Sequence, residues 1–142
     1  MSAAAPSTSK SLIRSLPPRA LKAAIEAHTR YRQGRPGGTR ANLSYVDLDN
    51  VNLEGVDLSE ADLRGADLRG TNLGGANLSS AHLDGANFFK AVLDGADLAG
   101  AFLNRAQFLN CAQLIVAQNW QSTFRDDALA CGASIPDRMP SE

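Results

Sequence analysis

Residues 41–110 read ANLSY VDLDN VNLEG VDLSE ADLRG ADLRG TNLGG ANLSS AHLDG ANFFK AVLDG ADLAG AFLNR AQFLN, fourteen units of five without an insertion. Position three is Leu in twelve units and Phe in two, Phe88 and Phe108. Position one is Ala in ten, position two is Asp or Asn in ten, and position five is Gly in seven. A period of five fits neither the 3.6-residue turn of an α-helix nor the two-residue alternation of a flat strand. Seven in-phase glycines would also cost a helix about 1 kcal/mol each relative to Ala. Gly at a fixed phase marks repeated turns, where Asp and Asn side chains readily bond nearby backbone.

A chain that bends every five residues and stacks on itself satisfies this pattern. Position three then points inward, and the small position one fills a narrow interior. Backbone groups pair between coils about 4.8 Å apart. Each coil covers the edge of the next, so unpaired backbone remains only at the two ends.

The units, above all Ala61-Asp62-Leu63-Arg64-Gly65 and Ala66-Asp67-Leu68-Arg69-Gly70, closely resemble the A(D/N)LXX signature of the pentapeptide-repeat family. The resemblance implies an all-β solenoid, a right-handed quadrilateral β-helix with four units per coil. Fourteen units would make about 3.5 coils, a rod roughly 17 Å long.

Before the repeats, Leu21, Ala24, Ile25, His28 and Tyr31 recur at helical spacing. Pro18 can open that helix, and Gly34 with Pro36 stops it. A helix with a His, a Gly-rich turn and then the first unit is similar to the lead-in of many bacterial family members. After the repeats the phase slips by one at Cys111. Trp120, Phe124, Ala128 and Leu129 then share a helical face, with Thr123 and Asp126 spaced as a capping box. The expected organisation is a disordered basic arm over 1–16, an N-terminal cap helix and turn over 17–40, the β-helix over 41–116, a C-terminal cap α-helix over 117–132 and a loose tail over 133–142.

Aromatics make up only 6% of the chain, so the core must be built from small aliphatic side chains. Cys111 and Cys131 are too few for a disulfide framework and too far apart for a metal knuckle, and with only His28 and His82 besides, no structural zinc is expected. That cysteine usage fits a reducing compartment, hence a cytoplasmic location. No apolar run approaches the ~18 residues of a membrane span, and residues 1–10 lack the apolar core of a secretory signal.

His28 on an apolar helix face reads as a packed histidine whose tip bonds a nearby carbonyl, and His82 as an exposed residue. Cys111 reads as a small core residue. Carboxylates on the convex faces of a filled rod lack the shared, desolvated pocket that acid–base catalysis requires. No enzyme, no cofactor and no small-molecule substrate are expected.

The formal net charge is −1, with a basic segment before the repeats and an acidic body within them. The basic segment lacks the interleaved aromatics of a nucleic-acid binder, so a solvated helix face is its default. Some relatives in the resembled family mimic DNA and inhibit type II topoisomerases, conferring quinolone resistance. Residues twenty apart stack, and on that register no face carries a net charge beyond −3. DNA carries one charge per ~1.7 Å, so mimicry is the alternative reading here, not the first.

The departures from the outward polar pattern are Phe89, Phe102, Leu109 and Val92, gathered in the last coil and a half. Either the C-terminal helix folds back over them with Trp120 and Phe124, which is the default, or they form a partner or dimer site. The expected function is non-enzymatic: a protein–protein interaction or scaffold module with an unspecified protein partner, monomeric or homodimeric, without membrane or nucleic acid.

Overall fold

The computed structural model describes residues 13–132, so the expectations for residues 1–12 and 133–142 lie outside the described residues. Parallel bridges join second positions twenty residues apart. One column runs Asn42, Asp62, His82 and Phe102; three more run through 47, 67, 87 and 107, through 52, 72 and 92, and through 57, 77 and 97. Four columns make a four-sided stack of short rungs.

Two local devices turn the corners. All ten Asp or Asn side chains at position two accept the amide of position four in their own unit, as Asn42 does from Ser44 and Asp97 from Ala99. In thirteen successive units, from Tyr45 to Arg105, the fifth residue has a positive φ. Glycine reaches that conformation without a side-chain penalty, which accounts for its phase. Between coils, Leu63 N–H donates to His82 C=O at 2.7 Å, Gly65 N–H to Asp84 C=O at 2.9 Å and Asp62 N–H to Ala41 C=O at 3.0 Å, and the pattern repeats along the rod.

The third-position Leu side chains from Leu43 to Leu103 are buried with Phe88 and the alanines of position one. Each fully buried Leu contributes roughly 2–3 kcal/mol, so the interior column dominates stability. Thr71, the polar exception at position one, is satisfied by donating its hydroxyl to Leu48 C=O at 2.7 Å.

At the N-terminal end, α1 spans Pro18–Arg32 and buries Leu21 and His28. Residues 13–16 correct the expected disorder of 1–16: Arg14 bridges Val46, taking the amide of Asp47 and donating its own to Tyr45 C=O. They add a rung beneath one side of the first coil, where the ladder's edge would otherwise lie open.

The C-terminal end differs from the expectation in three ways. No α-helix forms over 117–132. The only helical pieces after the repeats, among the described residues, are the one-turn α2 at Cys111–Leu114 and 3-10 turns at Trp120–Ser122 and Asp127–Leu129. The ladder instead continues, with Asp97 bridging Gln118 and Phe102 bridging Phe124. The rod therefore runs beyond 3.5 coils, because an extended rung can pair the open backbone edge and a helix cannot.

The phase also breaks earlier than Cys111. Phe108 takes the positive φ instead of the fifth residue and turns outward, so Leu109 occupies the interior. Finally, Cys111 and Cys131 are joined in a disulfide, which overturns the reading of Cys111 as a free core residue.

Candidate interaction surface

Phe89 sits at position four of its unit, its amide held by Asn87 Oδ1 at 3.0 Å, which fixes the ring outward. It is 46% exposed, and the Lys90 ammonium lies 5.4 Å from its centre. Phe108, 66% exposed, meets it edge to face at 5.6 Å. Val92 is exposed where Asp or Asn usually stands. The Gln113 side chain donates to Phe88 C=O and Ala91 C=O at 2.8 and 3.1 Å, fastening α2 beside these residues. Ile115 and Val116 follow α2 directly, and both are exposed. An Asn110–Gln113 capping box sets where α2 begins.

Of the four residues singled out by sequence, Phe89 and Val92 point outward and are exposed. Leu109 is 9% exposed and belongs to the core. Phe102 is half-buried in an aromatic column, stacked on His82 at 4.8 Å below and on Phe124 at 5.0 Å above. His82 is accordingly half-buried, not exposed. No C-terminal helix folds back over Phe89 and Val92. Phe108, Ile115 and Val116 escaped the sequence reading; the adjacent pairs Phe108-Leu109 and Ile115-Val116 were the available signal, since one member of such a pair must face out of a narrow rod.

Two grooves mark the sides. The first, of about 600 Å³, is walled by Tyr45, Arg64, Arg69, Asp84 and Arg105. Arg64 forks onto Asp62 at 2.9 and 2.7 Å, and Arg69 onto Asp67 with the same spacing. The Arg64 hydrogen bonds hold the Asp62 carboxyl below its ordinary value, against the opposing effect of burial. Reciprocally, Asp62 raises Arg64 and Asp67 raises Arg69. These two guanidinium forks are thus occupied within the rod. The second groove, about 550 Å³, is apolar and runs between Leu16, Leu21 and Ile25 on one wall and Val51, Leu53 and Val56 on the other.

Two large buried polar side chains serve the ends. His28 takes the Ala41 amide on Nδ1 at 2.9 Å, which makes Nε2 the protonated nitrogen that donates to Ser59 C=O, also at 2.9 Å. Arg125 is buried under Trp120, its guanidinium 5.2 Å from the ring. It donates to the carbonyls of Trp120, Gln121, Thr123, Leu129 and Ala130 and to the Thr123 hydroxyl. Desolvation lowers its pKa. Sequence spacing had placed Thr123 in a capping box with Asp126, but its hydroxyl donates instead to Trp120 C=O at 2.7 Å.

Comparison with known proteins supplies the context. A family model described as "Pentapeptide repeats" matches residues 39–75 and 71–111 in eight copies, together more than half of the chain. The crystal structure of alr5209, a pentapeptide repeat protein from Nostoc Pcc 7120, is 32% identical with a TM-score of 0.55, covering 82% of this chain and 80% of that one. The structure of QnrB1, a plasmid-mediated fluoroquinolone resistance protein, is similar in fold, with 20% identity and a TM-score of 0.51. That match covers 59% of this chain and spans only 40% of QnrB1. No curated protein matches.

Proposed function

The chain belongs to the pentapeptide-repeat family, and on that premise we propose that it is a non-enzymatic interaction module, a right-handed rod that binds a protein through the apolar surface around Phe89 and Val92. The observation that carries the reading is the company these two keep: Phe108, Ile115 and Val116 are also exposed on the same last stretch of the ladder. Clustered apolar side chains on an otherwise polar repeat surface mark a contact site. No helix of the described residues is long and apolar enough to cross a membrane. The rod acts as a monomer or a homodimer in this reading and takes no cofactor or small-molecule substrate, while the Cys111–Cys131 disulfide removes the cysteine argument for a reducing, cytoplasmic location.

Affinity capture with Phe89→Asp and Val92→Asp, alongside sedimentation, tests the surface. Loss of a captured protein or of a dimer by both variants, with the fold intact, is the expected result. Capture and oligomeric state unchanged in both variants would remove this surface from the function.

The alternative, a DNA mimic acting on a type II topoisomerase, draws on the fold shared with QnrB1. Internal pairing of Asp62 with Arg64 and Asp67 with Arg69 weakens the acidic faces that mimicry needs. A supercoiling assay separates the two readings: inhibition by the rod at low micromolar concentration would favour mimicry.

A further inference from the structure

We propose that Cys111 and Cys131 form a reversible redox site, whose disulfide clasps the final turn of the rod and is opened by a dithiol. Cys111 is the first residue of α2 and Cys131 follows the Asp127–Leu129 turn; their Cα atoms lie 5.6 Å apart across a loop with a sequence separation of 20. Both are only partly buried, so an attacking thiolate can approach.

The loop closed by this bond seals the edge of the ladder. Gly95 N–H donates to Val116 C=O, Leu98 N–H to Gln118 C=O and Leu103 N–H to Phe124 C=O, at 2.9, 2.9 and 2.7 Å. The amides of Gln118 and Phe124 return bonds to Ala96 and Ala101. Gly100 and Arg105 donate their amides to side chains of the same loop, Ser122 Oγ and Asp126 Oδ2.

Beyond Phe124 the backbone bonds become local: Leu129 N–H to Asp126 C=O and Ala130 N–H to Asp127 C=O. The ties that fasten residues 126–131 to the rest include the burial of Leu129, the Asp126 carboxylate on Arg105 N–H, the Arg125 bonds to Leu129 and Ala130 carbonyls, and the disulfide. Cys131 and Gly132 both have positive φ, at 54° and 84°.

The chemistry is thiol–disulfide exchange. One thiolate of the dithiol attacks a sulfur of the pair; the Sγ–Sγ bond breaks, and its electron pair leaves on the other cysteine, which takes a proton. The second thiol of the reductant then attacks the mixed disulfide, releasing the remaining cysteine as a thiolate that is protonated in turn. Two electrons and two protons pass to the protein, and the dithiol leaves as a disulfide. Both cysteines are then free thiols, and the loop loses its covalent closure. A rod in a reducing compartment would stand mostly open, and one in an oxidising compartment closed.

The experiment uses the full chain with dithiothreitol as the dithiol. Free thiols are counted by mass tagging, and trypsin cleavage is followed at the Arg125–Asp126 bond, whose arginine is buried in the clasped form. The oxidised protein should show no free thiol and resist cleavage there. Reduction should release two thiols and speed cleavage after Arg125 about tenfold or more, as local opening predicts, while cleavage after Arg64 and Arg69 stays unchanged. Removal of dithiothreitol and reoxidation with oxidised glutathione should restore resistance. The Cys111→Ser/Cys131→Ser variant should be cut quickly in both conditions; should it fail to fold, the reduced wild-type chain gives the same reading. Equal cleavage after Arg125 in the reduced and oxidised chains would overturn the proposal, as would thiols that oxidised glutathione fails to pair.

Discussion

The two ends of the rod meet the same physical demand by opposite means. Each must cover the apolar column and satisfy backbone groups that no further coil reaches. At the N-terminal end an α-helix is seated on the first coil: His28 of α1 accepts from Ala41 and donates to Ser59, and Arg32 of α1 pairs with Glu60 at 2.9 Å. The C-terminal end has no packed α-helix over 117–132. There the last rungs continue irregularly, Arg125 gathers the carbonyls of its own loop, and a disulfide ties that loop to α2. A packed helix carrying a buried histidine covers one end, while an irregular loop with its own ties covers the other.

That contrast can be broken first at His28. His28→Ala leaves the Ala41 amide and the Ser59 carbonyl without partners beneath α1, and two buried unsatisfied groups should cost about 3 kcal/mol together. Urea unfolding measures it. A loss below about 1 kcal/mol would mean that water replaces the ring and that the other ties of α1 suffice to hold this end.

Arg125→Met keeps a long side chain under Trp120 but removes every donor. The Trp120, Gln121 and Ala130 carbonyls are only part-buried and can partly rehydrate, so the expected loss is smaller, about 2 kcal/mol. It should also be local. Hydrogen exchange should accelerate at Leu98 and Leu103, whose amides bond to the C-terminal loop, and stay unchanged at Leu43 and Leu48. Acceleration along the whole rod would show that the two ends are coupled, not independent.

How much of this was legible in the sequence follows from register. Between Asn42 and Gln107 every bridge within the repeats joins residues twenty apart, so the five-residue units alone set which side chains stack, including Phe102 over His82. Beyond that point the bridged pairs are Asp97–Gln118 and Phe102–Phe124, separations of twenty-one and twenty-two, and the repeat no longer aligns. The spacing of Trp120, Phe124 and Leu129 then imitated a helical face, although Phe124 is a rung of the ladder. The Phe108-Leu109 pair hid the earlier slip, because either ring or aliphatic chain could fill the interior. The cysteines did carry a signal: their separation of 20 is one coil, the distance at which any two residues of this fold stack.

Phe102→Ala probes the aromatic column, which leads from the regular body into the C-terminal end. The ring is stacked on both faces but only half-buried, so about 1–2 kcal/mol should be lost. A double-mutant cycle with Phe124→Ala should show coupling, since the two rings are in contact. Additive losses would indicate that the column is a by-product of register and does not help to seat the loop.

The smallest effect belongs to the body between the ends. Asp62 is held below its ordinary value of 3.8, chiefly by the Arg64 hydrogen bonds. A carboxyl with a lower pKa folded than unfolded contributes stability that is fully present above the unfolded value and lost as pH falls through the folded one. Acidification from pH 5 towards pH 2 should therefore remove a contribution that Asp62→Asn removes at every pH. Arg64 is well exposed, so solvent screening keeps that contribution to about 1 kcal/mol or less. The test is the difference in unfolding free energy between wild type and Asp62→Asn at the two ends of that pH range. The gap should narrow on acidification; a gap that stays constant would assign the bond between Asp62 and the Arg64 amide, and not the ion pair, as what the carboxylate supplies to its corner of the coil.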